Sequence, residues 1–318
     1  MEAIGGYFSL ELPLYEEYHK NAIRLNTGRN CLEYILRARK YSKVYIPYYT
    51  CEVVLEPFKK LNISYEFYHI NLDFEIVDDI KLAGNEALLY TNYFGLKQRY
   101  AEKLASLYGK NLIVDNTQAF FAPPIKDIDT FYTCRKFFGV PDGAYLYCDK
   151  ELDEDIEQDY SYDRVTHLVK RIDLSAEEGF KDFRRVDDGL DNKPIYKMSQ
   201  LTRRMMQGID CEAAAQRRRA NYQMLQDTLC KDNNIELHME DDAVPMVYPY
   251  LALAEGLREN LIENKIYVAR YWPNVLEWTS PNDMECLLAY QLLPLPIDQR
   301  YGEEDMKIII KNIHQWNN

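Results

Sequence analysis

Three short segments of this 318-residue sequence place reactive residue types where a fold could use them. The first is Leu112-Ile113-Val114-Asp115-Asn116-Thr117-Gln118-Ala119, an apolar run that delivers a carboxylate at its carboxyl end. Open α/β sheets bind their ligands at strand ends of that kind, and a carboxylate there can keep a ring nitrogen protonated. Gln118, three residues on, can reach a ring oxygen at the same place. The second segment is Thr133-Cys134-Arg135-Lys136-Phe137-Phe138-Gly139, which follows the strand-like run Thr130–Tyr132 and leads into a Gly139–Gly143 turn. A lysine flanked by two phenylalanines is partly desolvated. Desolvation disfavours the ammonium, lowers its pKa and frees the amine to condense with a carbonyl and to shuttle a proton. The third is Leu25-Asn26-Thr27-Gly28-Arg29-Asn30, directly before an amphipathic stretch. Small and polar residues at a helix start offer free N–H groups and the positive dipole end to a phosphate. Each segment also fits a plainer role: Asp115 as a cap or turn former, Lys136 as a surface lysine, Thr27-Gly28 as an ordinary N-cap.

The elements that must position these residues can be read from periodicity. Cys31, Leu32, Ile35 and Leu36 recur at helical spacing, so a helix follows Gly28. Val44-Tyr45-Ile46 reads as a strand stopped by Pro47, and a helical stretch runs from Glu52 to Leu61. Apolar runs at Tyr65–Tyr68, Ala87–Tyr90, Leu112–Val114, Thr130–Tyr132 and Ala144–Cys148 alternate with helical segments such as Tyr100–Leu107. That alternation predicts a mostly parallel α/β sheet sandwiched by helices. Leu152 to Asn192 is charged and weakly periodic, and reads as helix plus loop. Tyr196 to Cys230 is strongly helix-forming apart from Gly208, and predicts one long connecting helix. Beyond it, Val244–Leu253 reads as a strand, Leu257–Glu263 as a helix, and Met306, Ile309, Ile310 and Ile313 as one face of a terminal helix. The expected division is a large α/β domain over residues 1–190 and a small α+β domain, led in by the long helix, over residues 191–318.

Composition narrows the function. Hydrophobic residues make up 47%, enough for a sizeable core, and the net charge is −13. An acidic chain lacks the basic face that sequence-independent nucleic-acid binding requires, although a few local arginines can still hold one small anion. The basic clusters Arg203-Arg204, Arg217-Arg218-Arg219 and Arg184-Arg185 read as solvated helix faces. Tyrosine, at 27 residues, suits subunit interfaces and ligand clefts. The seven cysteines are widely spaced with no C-x-x-C pair, which fits reduced thiols rather than a disulfide or zinc framework. The five histidines show no metal-ligand spacing, so no metal is expected. With no signal segment and no apolar run of bilayer length, the expected location is the cytoplasm, away from membranes.

The order of the three segments carries more than each alone. A phosphate-type helix start, then an Asp at a strand end, then a Lys after a later strand, is the order used by fold-type I enzymes of pyridoxal 5'-phosphate (PLP). The chain resembles the DegT/DnrJ/StrS family of PLP-dependent sugar aminotransferases. Thr27-Gly28-Arg29-Asn30 stands where that family has its Ser-Gly-Thr phosphate segment, and Ile46-Pro47-Tyr48-Tyr49-Thr50-Cys51 resembles its Pro-x-Tyr-Thr segment. Asn92-Tyr93-Phe94-Gly95 resembles its aromatic-Gly strand end, and Val114-Asp115-Asn116-Thr117-Gln118-Ala119 its Glu-Asp-x-Ala-Gln-Ala block. Arg135-Lys136 falls on its Thr-Lys, Tyr196-Lys197-Met198-Ser199-Gln200-Leu201 on its Tyr-Arg-Met-Ser-Glu-Leu, and Leu293-Pro294-Leu295-Pro296 on its closing Leu-Pro-Leu.

The resemblance implies the following site. Lys136 carries PLP, and Asp115 anchors the ring nitrogen. Gly28, Arg29 and Asn30 receive the phosphate, and Tyr49, Gln118 and Thr133 complete the cofactor set. It also implies a homodimer with shared sites, glutamate as amino donor, and a keto-sugar acceptor linked to a nucleotide in surface-polysaccharide or amino-sugar synthesis. Because the lysine is present, transamination is expected rather than the dehydratase variant, in which it is replaced. The sequence departs from the family at Cys51, where an aromatic residue is usual, leaving ring stacking to Tyr48 or Tyr49, and at Ile195, where a partner-subunit asparagine is usual. Two other readings stay open: an aminotransferase for a non-sugar substrate, and a fold-type I scaffold that no longer turns over and serves as a binding or assembly subunit.

Overall fold

The computed structural model describes residues 4–317. Among the described residues nine strands are formed: β1 Ile23–Leu25, β2 Lys43–Pro47, β3 Ser64–Tyr68, β4 Glu86–Thr91, β5 Leu112–Asp115, β6 Asp129–Thr133, β7 Ala144–Tyr147, β8 Val247–Leu251 and β9 Leu292–Pro296. The first seven make one sheet in the order β1-β7-β6-β5-β4-β2-β3. Strands β3, β2, β4, β5 and β6 run parallel, while β7 and β1 close the far edge antiparallel. The mostly parallel α/β sheet predicted from the alternating runs is therefore present.

Eleven α-helices are described: α1 Gly28–Arg39, α2 Leu55–Leu61, α3 Gln98–Tyr108, α4 Thr166–Asp173, α5 Ala176–Asp188, α6 Gln200–Met206, α7 Cys211–Leu229, α8 Leu257–Glu263, α9 Val275–Trp278, α10 Met284–Gln291 and α11 Glu303–Asn317. Side chains alternate along each strand, so each face of the sheet builds its own core. Ala87 and Leu89 of β4 join Ile113, Phe131 and Leu146 under Leu32, Ile35 and Leu36 of α1 and Phe58 of α2. Leu88 and Tyr90 face the other way, with Val114 and Tyr132, toward Leu104 of α3. That second core continues into the last third of the chain. The hairpin β8–β9 packs there with Leu225 and Leu229 of α7, Leu261 of α8, and Met306, Ile309 and Ile313 of α11.

The single helix predicted over Tyr196–Cys230 is instead two. Ser199 caps α6 by accepting the Thr202 N–H, and Asp210 caps α7 by accepting the Ala213 N–H. Between them Gly208 closes a turn, its N–H donating to the Met205 carbonyl at 2.9 Å. Local capping chemistry thus wins over the helix propensity summed across the segment. The strand expected at Val244–Leu253 is confined to β8, and β1, β9, α9 and α10 have no counterpart in the periodicity reading.

Many tyrosines fill the core rather than a surface. Tyr68, Tyr90, Tyr93, Tyr132 and Tyr222 are buried, and each hydroxyl donates to a backbone carbonyl, as in Tyr68 to Leu89 at 2.8 Å. A buried hydroxyl needs that partner to offset its desolvation. No described helix is long and apolar enough to cross a membrane.

Candidate active site

The carboxyl ends of β4, β5 and β6 open onto a cavity of about 300 Å³. Each strand end delivers one wall. β4 brings Thr91, β5 brings Asp115 with Thr117 and Gln118 beyond it, and β6 brings Thr133, followed by Arg135 and Lys136. Gly28 and Arg29 enter from the start of α1, and Thr50 and Cys51 from the loop after β2. Phe183 and Asp187 of α5, Leu190 after it, and Trp272 from the last third complete the enclosure.

Asp115 and Lys136 therefore share a pocket, and Thr117 joins them. The Thr117 N–H donates to Asp115 Oδ1 at 2.8 Å, and Lys136 Nζ donates to Thr117 Oγ1 at 3.0 Å. Lys136 retains accessible surface because it faces the open cavity, yet protein atoms surround it. Burial pushes its ammonium below the ordinary lysine range, against the pull of Asp115 and Cys51. Burial likewise pushes the Asp115 carboxyl up, against Lys136 and the Thr117 N–H. A carboxylate held this way is stabilised by a cationic neighbour such as a protonated ring nitrogen.

At the mouth of α1, Thr27 Oγ1 accepts the Asn30 N–H at 3.2 Å, and Cys31 N–H begins the intrahelical ladder at Thr27 O. The N–H groups of Gly28 and Arg29 precede that ladder and border the cavity. A Cβ on Gly28 would lie 3.1 Å from Thr117 Cγ2, so a larger residue there would push that side chain aside by a few tenths of an ångström.

The cofactor set expected from the resemblance is brought together in part. Gly28, Arg29, Asp115, Gln118, Thr133 and Lys136 all line the cavity. Asn30 and Tyr49 do not. The Asn30 amide donates to the Lys193 carbonyl at 3.0 Å and its oxygen accepts from Thr27 Oγ1, so its side chain serves the loop connection rather than an anion. Tyr49 lies fully buried against Phe74, Tyr93 and Trp272. Tyr48 stacks on Phe67 at 4.6 Å. Neither tyrosine lines the cavity, whose walls include Cys51 and Trp272. The Arg29 charge is already met by Glu56 at 2.8 Å and by Asp191, so Arg29 offers its backbone N–H rather than a free guanidinium. The Gln118 amide oxygen accepts the Phe94 N–H at 3.0 Å, which leaves its NH₂ end as the remaining donor.

Sequence reasoning missed Thr91, Phe183, Asp187, Leu190 and Trp272. Only Thr91 carried a usable signal, as the last residue of an apolar run. Its Oγ1 is buried with no partner among the described residues, a group that ordinarily finds one. Among the described residues, one group of potential metal ligands converges, Asp129, Cys148 and Asp149, outside the cavity. Arg39 and Lys110 already neutralise it.

No protein-family model matches the chain, and no curated protein matches it in sequence. Solved structures do match in shape. A DegT DnrJ EryC1 StrS aminotransferase from Brucella abortus superposes with a TM-score of 0.63 at 15% identity, over 94% of this chain and 89% of that one. The ntda protein of Bacillus subtilis, with its cofactor PMP bound, gives 0.63 at 13% identity, over 92% and 72%. The Escherichia coli GDP-4-keto-6-deoxy-D-mannose-3-dehydratase, with hydrated PLP bound, gives 0.59 at 13% identity, over 92% and 87%. The chain thus has the fold of the DegT/DnrJ/EryC1/StrS aminotransferases, the fold-type I arrangement that the resemblance implied.

Proposed function

We propose that this chain is a PLP-dependent sugar aminotransferase in which Lys136 carries the cofactor. The observation that supports it most is the hydrogen-bonded chain from Lys136 through Thr117 to the buried Asp115, beyond the carboxyl ends of β5 and β6. The cavity also fits the group: a cradle that a Cβ would fill at Gly28, an unpartnered Thr91 hydroxyl, and a carboxylate that burial leaves short of positive charge. Structural neighbours that include a sugar aminotransferase and proteins with PMP or PLP bound add to that reading.

When bound, PLP supplies an aldehyde that accepts an amine and a ring that withdraws the electron pair released at the substrate carbon. The residues of the chain do the rest. Gly28 and Arg29 hold the phosphate with backbone N–H groups at the positive end of α1. Asp115 keeps the ring nitrogen protonated, and Gln118 donates to the ring oxygen. Lys136, whose amine is neutral at lower pH than an exposed lysine's, moves a proton at the substrate carbon. Cys51 and Trp272 are walls of the cavity that would receive the ring, and Thr117 holds Lys136 through its hydroxyl. The amino donor is glutamate and the acceptor a nucleotide-linked keto-sugar, and the enzyme works as a cytoplasmic homodimer.

Borohydride reduction after incubation with PLP tests the reading. One pyridoxyl group on Lys136, located by peptide mass and missing in Lys136→Ala, is the expected result. An unmodified Lys136 in the wild-type chain overturns it. Bleaching of the visible band by glutamate, reversed by a keto-sugar, then separates transamination of sugars from other substrates and from an inert scaffold.

A further inference from the structure

Beside Lys136 in the same cavity stands a second cation that the reading above leaves without work. Arg135 is 18% exposed at its side chain. One guanidinium nitrogen, NH1, donates to one oxygen of Asp187 at 2.8 Å, and the Phe183 ring lies under the guanidinium at 5.8 Å. A guanidinium offers five donors in a planar fork, and a single carboxylate oxygen uses only part of it. The other cavity arginine differs, because Glu56 and Asp191 both hold Arg29.

The element that supplies Asp187 is loosely joined to the rest. Helices α4 and α5 pack chiefly on each other. Gly179 lets them close, since a Cβ there would lie 3.0 Å from the His167 carbonyl, and Lys170 ties to Asp182 at 2.6 Å. Phe183 and Asp187 reach from this hairpin to the cavity, while Phe180, Ile172 and Leu174 point to solvent. A segment with few buried apolar contacts opens at low free-energy cost. Asp187 is 36% exposed, so releasing its carboxylate returns it to water rather than stranding it inside the protein.

Resting on the aminotransferase reading, we propose that Arg135 receives an oxyanionic group of the substrate, and that Asp187 occupies that place until the substrate arrives. The α4–α5 hairpin is then a latch, released when a ligand oxyanion replaces the Asp187 carboxylate in the guanidinium fork. The oxyanion is either the carboxylate of the amino donor or the diphosphate of a nucleotide sugar, since both match the fork.

Calorimetric titration of the full chain with glutarate and, separately, with uridine diphosphate tests this. Arg135→Ala is expected to weaken binding of at least one probe about tenfold, and Asp187→Asn to tighten the same probe about threefold, because a competing carboxylate is gone. Loss confined to glutarate assigns the donor carboxylate, and loss confined to uridine diphosphate assigns the nucleotide. Equal binding of both probes by wild type and Arg135→Ala, or no binding of either by wild type, overturns the proposal. Should Arg135→Ala fail to fold, unchanged affinity of Asp187→Asn for both probes overturns it instead. The borohydride tag on Lys136 is scored on the same samples. A missing tag with Arg135-dependent binding sinks the cofactor reading alone, and a tagged Lys136 with Arg135-independent binding sinks the latch alone.

Discussion

At the residue scale the site turns on Thr117, which holds Asp115 through its N–H and Lys136 through its hydroxyl. Gly28 presses on that same side chain, with 3.1 Å between Thr117 Cγ2 and the place a Cβ would occupy. Gly28→Ala should therefore displace Thr117 while leaving the fold intact, since alanine is the better helix former by roughly 1 kcal/mol. We expect thermal unfolding to change little and the affinity for PLP, titrated by the visible band, to fall about tenfold. Unchanged affinity would show that the approach of α1 to Thr117 has no bearing on the cofactor. The place of Asp115, Lys136 and Gln118 at one cavity was legible from residue type and position after a strand. Trp272 and Phe183 were not, because a side chain that closes a cavity from a distant part of the chain leaves no local pattern. Tyr49 misled for the opposite reason. Its neighbours in sequence match a cofactor segment, yet its ring faces Phe74 and Tyr93 in the core.

At the element scale, periodicity located every parallel strand of the large sheet but not the short pieces. β1 is three residues long, too short for alternation to register. It is held in place by what precedes it. Among the described residues, 4–22 before β1 form no helix or strand, and side chains pin them: Arg204 donates to the Pro13 carbonyl at 2.7 Å, Tyr18 to Phe121 at 3.0 Å, and Glu17 accepts from Arg24 and Tyr145. His19 is the buried anchor, with Nε2 at 2.8 Å from the Phe120 carbonyl and Nδ1 at 3.1 Å from the Tyr147 hydroxyl. Burial pushes its pKa down to about 4, so between that value and 6.5 the folded chain binds fewer protons than the unfolded one. Stability therefore rises with pH across that window and falls on acidification through it, by about 3 kcal/mol for this group. Replacing His19→Gln should abolish that component, leaving the variant destabilised at pH 7 but less sensitive to acid than wild type in urea unfolding. Parallel pH curves for the two proteins would refute the assignment.

At the scale of the whole molecule, one buried arginine joins the last third of the chain to the loop that carries Lys136. Arg218 of α7 is 1% exposed. It donates to the Met246 carbonyl at 3.0 Å, to Gln299 at 3.0 Å and to the Phe137 carbonyl at 3.3 Å, and lies over the Phe137 ring. Gln299 donates to the same Phe137 carbonyl at 2.8 Å. Phe137 follows Lys136 directly, so the docking of the β8–β9 unit fixes the backbone next to the lysine. Truncation by Arg218→Ala leaves buried carbonyls unpaired, and should cost about 3 kcal/mol in denaturant unfolding. Arg218→Lys, with a point charge in place of a fork, should recover less than half of it. A loss under about 1 kcal/mol for the alanine variant would mean that the two parts dock without this residue.

Trp272 has a further consequence, for how the protein is made. A ribosome that has released residues up to about 200 has already delivered Asp115, at the end of β5, and Lys136, in the turn after β6. The wall that Trp272 adds to the cavity, and the arginine on α7 that steadies the lysine loop, are still inside the synthetic machinery. The nascent chain therefore holds Lys136 in an unroofed groove, and enclosure comes only with the segment that carries Trp272.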